Sequence, residues 1–198
     1  HTKGPFMYEP ATRVPLMIRP PGGGSARRSS TAVTHVDLLP TMLDFAGLDC
    51  PASLEGRSLR PEIEGRDDPG RPAFMEFNRF AIHQDPGGLF PIRCIRHRNL
   101  KLVINLFDRD ELYDLDADPH ELHNRIDDPA CAETRDAMFD RLMAWMDQQC
   151  DPFRGPPWQD RPWRPATPFE YSGLERRLPD DGYRPLWREY GTGRPVEE

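Results

Sequence analysis

Four short apolar runs, PAFMEFNRF, FPIRCIRHR, NLKLVINLF and DELYDLD, follow one another from residue 72 with turn residues between them. A single long amphipathic segment, PACAETRDAMFDRLMAWMDQQC, comes next. This order constrains the fold more than any other feature. Runs of this length, rich in β-branched and aromatic residues, read as strands. Those at 92–97 and 100–106 are close enough to form a hairpin through His97–Asn99. In the long segment Met138, Leu142, Trp145, Met146 and Cys150 recur at helical spacing, while Asp136, Asp140, Arg141 and Asp147 take the wet side. A helix on one face of an antiparallel sheet makes an α+β layer pair.

Upstream, RVPLMIR (13–19) is an apolar run bounded by charge and reads as a buried strand. PPGGGSARRSS (20–30) is a surface loop. THVDLLPTMLDFAGLDCP then sets Val36, Leu39, Met42, Leu43 and Ala46 on one helical face. Asp37 is its expected N-cap, Pro40 is tolerated in the first turn, and Gly47 is the stop. LEGRSLRPEIEG adds one helical turn. After Asp151 the stretch DPFRGPPWQDRPWRPATPF has a proline every few residues, which forbids a long helix. Trp158, Trp163, Phe169, Tyr171 and Trp187 still give this part large apolar anchors. They predict an extended tail lying across a surface, its own or that of a second copy, so a homo-oligomer through the tail is one expectation.

A net charge of −7 argues against a nucleic-acid binder and against docking on an anionic membrane. No apolar run is long enough to cross a bilayer. Cysteines 50, 94, 131 and 150 show no CxxC spacing. They read as thiols of a reducing compartment, which favours the cytoplasm, or as disulfides that the sequence does not assign. Of 26 basic residues only Lys3 and Lys101 are lysine. Against so strong an arginine bias, a retained lysine is a candidate for chemistry that needs a point charge.

Several tempting motifs fail. HELHN (120–124) lacks the one-turn histidine spacing of a zinc helix and reads as a solvated turn. DLDADP (114–119) begins like a calcium loop, but Pro119 stands where glycine is needed and Arg125 where a bidentate glutamate is needed. GGG at 22–24 has neither dinucleotide nor P-loop spacing. Cys150-Asp151-Pro152-Phe153-Arg154 fits the minimal C-x-P-x-R pattern, yet it closes an amphipathic helix with no metal ligands near it.

HTKGPFMYEPATRVPLMIR, THVDLLPTMLDFAGL, LEGRSLRPEIEG, NLKLVIN, DELYDLDADPHELHN and a closing amphipathic helix occur in that order. Together they resemble the C-terminal part of a type I, formylglycine-dependent sulfatase of the alkaline-phosphatase-like superfamily, over residues 1 to about 150. The resemblance implies an α/β fold in three parts. Residues 1–70 are the trailing part of the sulfatase sheet domain. Residues 71–150 are a C-terminal α+β subdomain, an antiparallel sheet covered by a helix. Residues 151–198 are a Pro/Trp-rich extended tail. Two apolar surfaces, VPLMI and one face of 36–46, should then stand exposed where the rest of the sheet would lie.

The function implied is that of a sulfuric ester hydrolase acting on a small-molecule sulfate ester. Its formylglycine nucleophile and the Asp, His or Asn ligands of its calcium ion are expected upstream of this chain. No metal ligand is expected within it, and the chain alone is expected to be inactive. The resemblance gives Lys3 the role of contacting the sulfate and the leaving-group oxygen, where negative charge builds as the S–O bond breaks. Glu9 and Arg13 match recurrent family positions and are expected to form an ion pair or loop anchor beneath the site; His1 is not expected to be a ligand. Substrate contacts are expected from EFNRFAIHQDPGG (76–88), through Asn78, Arg79, His83 and Gln84. Two other readings share these features: a phosphonate or phosphodiester hydrolase of the same superfamily, and a non-catalytic C-terminal interaction module.

Overall fold

The computed structural model describes residues 6–24, 26–79 and 89–164. Its centre is an antiparallel meander of β1 (Pro72–Arg79), β2 (Leu89–His97), β3 (Leu100–Asn105) and β4 (Glu111–Asp114), in the spatial order β1-β2-β3-β4. The expected hairpin is present. His97 pairs with Leu100 across the two-residue turn Arg98-Asn99, and Arg98 takes the left-handed conformation at φ 57°. Asn99 fastens this turn to β4 by donating from Nδ2 to Asp114 Oδ1 at 2.7 Å.

The period-two pattern of the strands is spent on two buried faces rather than one. Three short helices, α1 (Glu9–Thr12), α2 (Leu38–Phe45) and α3 (Arg60–Ile63), precede the sheet in the chain and the long α4 (Ala132–Gln148) follows it; Ile95, Leu102, Ile104 and Leu112 face α4. There they meet Met138, Phe139, Leu142, Met143 and Met146, and Phe74 stacks on Trp145 at 4.8 Å. Ile92, Cys94 and Val103 project to the opposite face, where Met7 covers them. β2 and β3 are therefore enclosed on both sides.

The beginning of the expected tail lies on its own sheet. A short helix, Pro156–Gln159, buries Trp158 in the α4-side core, and Trp163 sets its ring edge against Phe139 at 5.3 Å. Trp163 Nε1 donates to the buried Asp110 at 2.8 Å. Phe169, Tyr171 and Trp187 lie outside the described residues.

The structure departs from the sequence reading at four places. RVPLMIR is neither strand nor buried: Val14 is 53% and Met17 91% exposed. A strand needs a neighbour to take its N–H and C=O groups, and no described residue pairs with this run. Asp37 does stand at the N-cap position of the helix Leu38–Phe45 but makes no capping bond to it, because a first turn, His35–Asp37 with Thr34 as its cap, already precedes that helix. Asp37 instead points back, accepting from Thr34 N at 2.8 Å and reaching across to Arg57 N at 3.0 Å and Arg71 Nη2 at 2.6 Å. Burial alone would raise its pKa, yet these donors outweigh burial and hold the carboxyl below its usual value. Cys150 is exposed at φ 50°, because α4 ends at Gln148 before the stripe reaches it. Finally, HELHN is no uniform solvated turn, since Glu121 in it is only 7% exposed.

The apolar face of Leu38–Phe45 does stand open, with Val36, Leu39 and Met42 exposed, and VPLMI is open as well. Gly47 stops that helix at φ 69°.

Candidate functional site

Downstream of Lys3 the structure describes the chain from Phe6, and it is tied to the sheet at every residue from 7 to 9. Met7 buries its side chain against Ile92, Cys94 and Val103. The Tyr8 ring lies 6.2 Å from that of Tyr113, and its hydroxyl donates to Glu111 Oε1 at 3.2 Å. Glu9 opens a single helical turn, Glu9–Thr12, with Pro10 in its first turn, and its N–H donates to Glu121 Oε2 at 2.6 Å.

Lys101 organises these contacts. It is on β3, fully buried, and faces away from α4. Its Nζ donates to the Met7 carbonyl and to Glu121 Oε1, each at 2.8 Å, and more loosely to Thr12 Oγ1 at 3.5 Å, while Glu9 Oε1 forms an ion pair with it at 2.8 Å. An ammonium has three N–H bonds, and three oxygens lie 2.8 Å from it with the Thr12 hydroxyl further out. A guanidinium is planar and wider, and could not meet three acceptors converging on one point. The arginine bias of the chain is broken at this position for a geometric reason. The expected anchoring role of Glu9 is therefore met, with Lys101 as the cation; Arg13 is exposed.

The same face carries more carboxylate than cation. Burial raises the pKa of Glu111, and the charges of Glu121 and Asp108 add to that, while the Tyr8 hydroxyl and Lys101 oppose it. Burial and the nearby Glu111 raise Tyr8 and Tyr113, so both phenols stay protonated donors. Burial pushes the Cys94 thiol up to about 12, which leaves it inert as a nucleophile.

Beside this cluster opens a cavity of about 640 Å³ between residues 8–13 and 119–122, with Arg13 and His120 exposed at it. Its two walls are the segments that Lys101 and Glu121 join. Among the described residues no group of three or more His, Cys, Asp or Glu is placed to hold a metal ion, so these residues do not fit calcium by themselves.

Of the residues singled out from the sequence, Lys3, His83 and Gln84 lie outside the described residues. Arg79 ends β1, and Asn78 precedes it within that strand. The Asn78 side-chain oxygen accepts from Arg93 Nη1 at 2.7 Å. Arg93, buried on the α4 side, forms a two-pronged ion pair with Asp151, so the aspartate of the C-x-P-x-R pattern is a structural partner. Sequence reasoning assigned no anchoring role to Lys101, Glu121, Arg93 or Asp151. The first had a signal: NLKLVIN puts a rare lysine between apolar residues of a strand. Glu121 had none, because its partners are remote in sequence.

Residues 3–148 match the family described as N-sulphoglucosamine sulphohydrolase, C-terminal. The uncharacterized sulfatase YidJ of Escherichia coli (strain K12) is 44% identical over 197 residues, covering 99% of this chain and 38% of the relative. N-acetylglucosamine-6-O-sulfatase of Bacteroides thetaiotaomicron is 35% identical over 126 residues, covering 60% of this chain and 22% of the relative. A solved structure of a protein in complex with its substrate D-glucosamine-2-N,6-O-disulfate superposes with a TM-score of 0.51 at 27% identity, over 63% of this chain and 25% of the other. The chain thus spans less than two fifths of the length of these relatives. With the family match running over nearly three quarters of its sequence, the chain belongs to the N-sulphoglucosamine sulphohydrolase C-terminal family and corresponds to the C-terminal part of a sulfatase of the alkaline-phosphatase-like superfamily.

Proposed function

We propose that this chain is the C-terminal part of a sulfuric ester hydrolase, supplying the sulfate-contacting lysine and one wall of the substrate pocket. The observation that carries this reading is the family match, which runs from Lys3 to residue 148 and includes the anchored segment behind that lysine. Lys3 places a fixed ammonium against the leaving-group oxygen, where charge develops in the transition state. Lys101, Glu9 and Glu121 hold the following residues in place. Asn78, whose side chain is fixed by Arg93, together with Arg79 at the end of β1 and with His83 and Gln84, makes the substrate contacts in this reading. The names of the relatives, together with the sugar bound in the solved structure, make a sulfated glucosamine the first substrate to try. The formylglycine nucleophile and the calcium ion belong to the remainder of the protein in this reading.

The test is hydrolysis of a chromogenic aryl sulfate, an aryl phosphonate and glucosamine 6-sulfate by the whole protein and by its Lys3→Ala variant. Sulfate hydrolysis should fall about 10²–10³-fold in the variant, as when one charge-stabilising donor is removed elsewhere. Equal rates for variant and parent would remove Lys3 from the reaction. A preference for the phosphonate would assign the protein to the sister activity.

A further inference from the structure

Lys101 is an expensive way to hold a loop. A buried ion cluster is rarely worth more to stability than well-packed apolar side chains of the same volume, because desolvating its charges offsets their attraction. What such a cluster does supply is fixed geometry. Here the geometry fixed is that of one segment. The ammonium meets the Met7 carbonyl and Glu9 on one side and Glu121 on the other, while Glu121 takes the Glu9 N–H with its second oxygen. Of the three oxygens 2.8 Å from Lys101, two therefore belong to residues 7–9 and the third is a carboxylate that grips the same residues; Thr12 Oγ1, at 3.5 Å, belongs to the same short turn. Met7 follows Lys3 by four positions, a tether of at most about 14 Å.

We propose that Lys101, braced by Glu121, is a positioning residue for Lys3: it pins the peptide that carries the sulfate-contacting ammonium without touching substrate itself. This rests on the functional reading given above for Lys3. A displacement of about 1 Å in a catalytic group can cost on the order of 10²-fold in rate. The cluster's contribution should therefore appear in turnover rather than in substrate binding, and it should be felt through Lys3.

A double-mutant cycle in the whole protein tests this, with aryl sulfate as substrate and Lys3→Ala, Lys101→Met and the pair as variants. Lys101→Met should lower kcat by about 10- to 100-fold with a smaller change in KM. In the Lys3→Ala background the same substitution should cost less than about threefold, because the group it positions is gone. An equal loss in both backgrounds would overturn the proposal and leave Lys101 as a structural residue. The Lys3→Ala arm reports separately on the functional reading; if it leaves activity intact, that reading fails and the positioning role goes with it. Should Lys101→Met fail to fold, Glu121→Gln takes its place in the same cycle. It keeps the side chain's size but turns an acceptor facing the Glu9 N–H into a donor, and the same coupled or equal losses decide the outcome.

Discussion

Removing the Asp151 carboxylate leaves one of the most deeply buried charges in the molecule without its main partner. Arg93 and Asp151 side chains are 1% and 3% exposed. The guanidinium uses Nε and Nη2 for the carboxylate, the latter at 2.9 Å, and it sits over the rings of Phe153 at 5.4 Å and Trp158 at 5.6 Å. Breaking such a pair from one side costs about 3–5 kcal/mol. Two features place Asp151→Ala at the lower end. Nη1 retains Asn78 Oδ1 at 2.7 Å and the Ile92 carbonyl at 2.9 Å, and the exposed Glu76 stands 3.8 Å from Nε and can swing closer. The expected loss is about 3 kcal/mol, or a fall in Tm of about 6–12 °C for a domain of this size. Urea and thermal unfolding followed by circular dichroism measure it. Arg93→Met combined with Asp151→Ala leaves no orphaned charge and should recover at least half of the loss. A single-variant cost below about 1 kcal/mol, or a double variant less stable than Asp151→Ala, would refute the account of a buried cation in need of its anion.

Glu111 gives a pH-dependent expectation. Its native pKa is raised, first by burial and then by neighbouring carboxylates, so the folded state binds its proton more tightly than the unfolded state does. Stability from this group is present at low pH and is lost as pH rises from the ordinary carboxylate range through the raised value. Glu111→Gln should therefore match or exceed the parent in stability at pH 7, with the difference shrinking toward about pH 4; a difference that grows on acidification would contradict this. Gly56→Ala should destabilise by about 1–3 kcal/mol, since a Cβ there would lie 2.1 Å from the Val36 carbonyl oxygen and force backbone to move. Unchanged urea midpoints would show that the 34–37 turn yields freely.

The meander and its helix were legible because their signal is local. Alternation over six to nine residues, the tight turn before Leu100, and the stripe from Met138 to Met146 all lie within short windows. RVPLMIR carries the same local signal, but a strand exists only where another strand accepts its hydrogen bonds, and composition does not report that. Asp37 looked like a cap because it precedes an apolar helix; its true donors include Arg57 and Arg71, distant in sequence. The anchors of the candidate site were hidden for the same reason. Glu121, in a loop, is buried by a lysine on β3 and by a backbone N–H more than a hundred residues away, and neither leaves a mark on HELHN. The family motifs, by contrast, drew attention to Glu9 as an anchor, though not to the cation it meets.

The two buried cations also dictate an order of assembly. Lys101 reaches Met7 across 94 residues, Glu121 reaches Glu9 across 112, and Arg93 reaches Asp151 across 58, all through a sheet whose own pairings are short-range. Local pairings form early, and distant ones must wait for the chain between them to be closed. At about 5–20 residues per second, the ribosome adds the partner of Glu9 on the order of 10 s after Glu9 itself. Throughout that interval the peptide behind Lys3 has no seat, because the strand bearing Lys101 and the loop bearing Glu121 do not yet exist. The segment behind Lys3 is made before the sheet beneath it and is seated only after that sheet is complete.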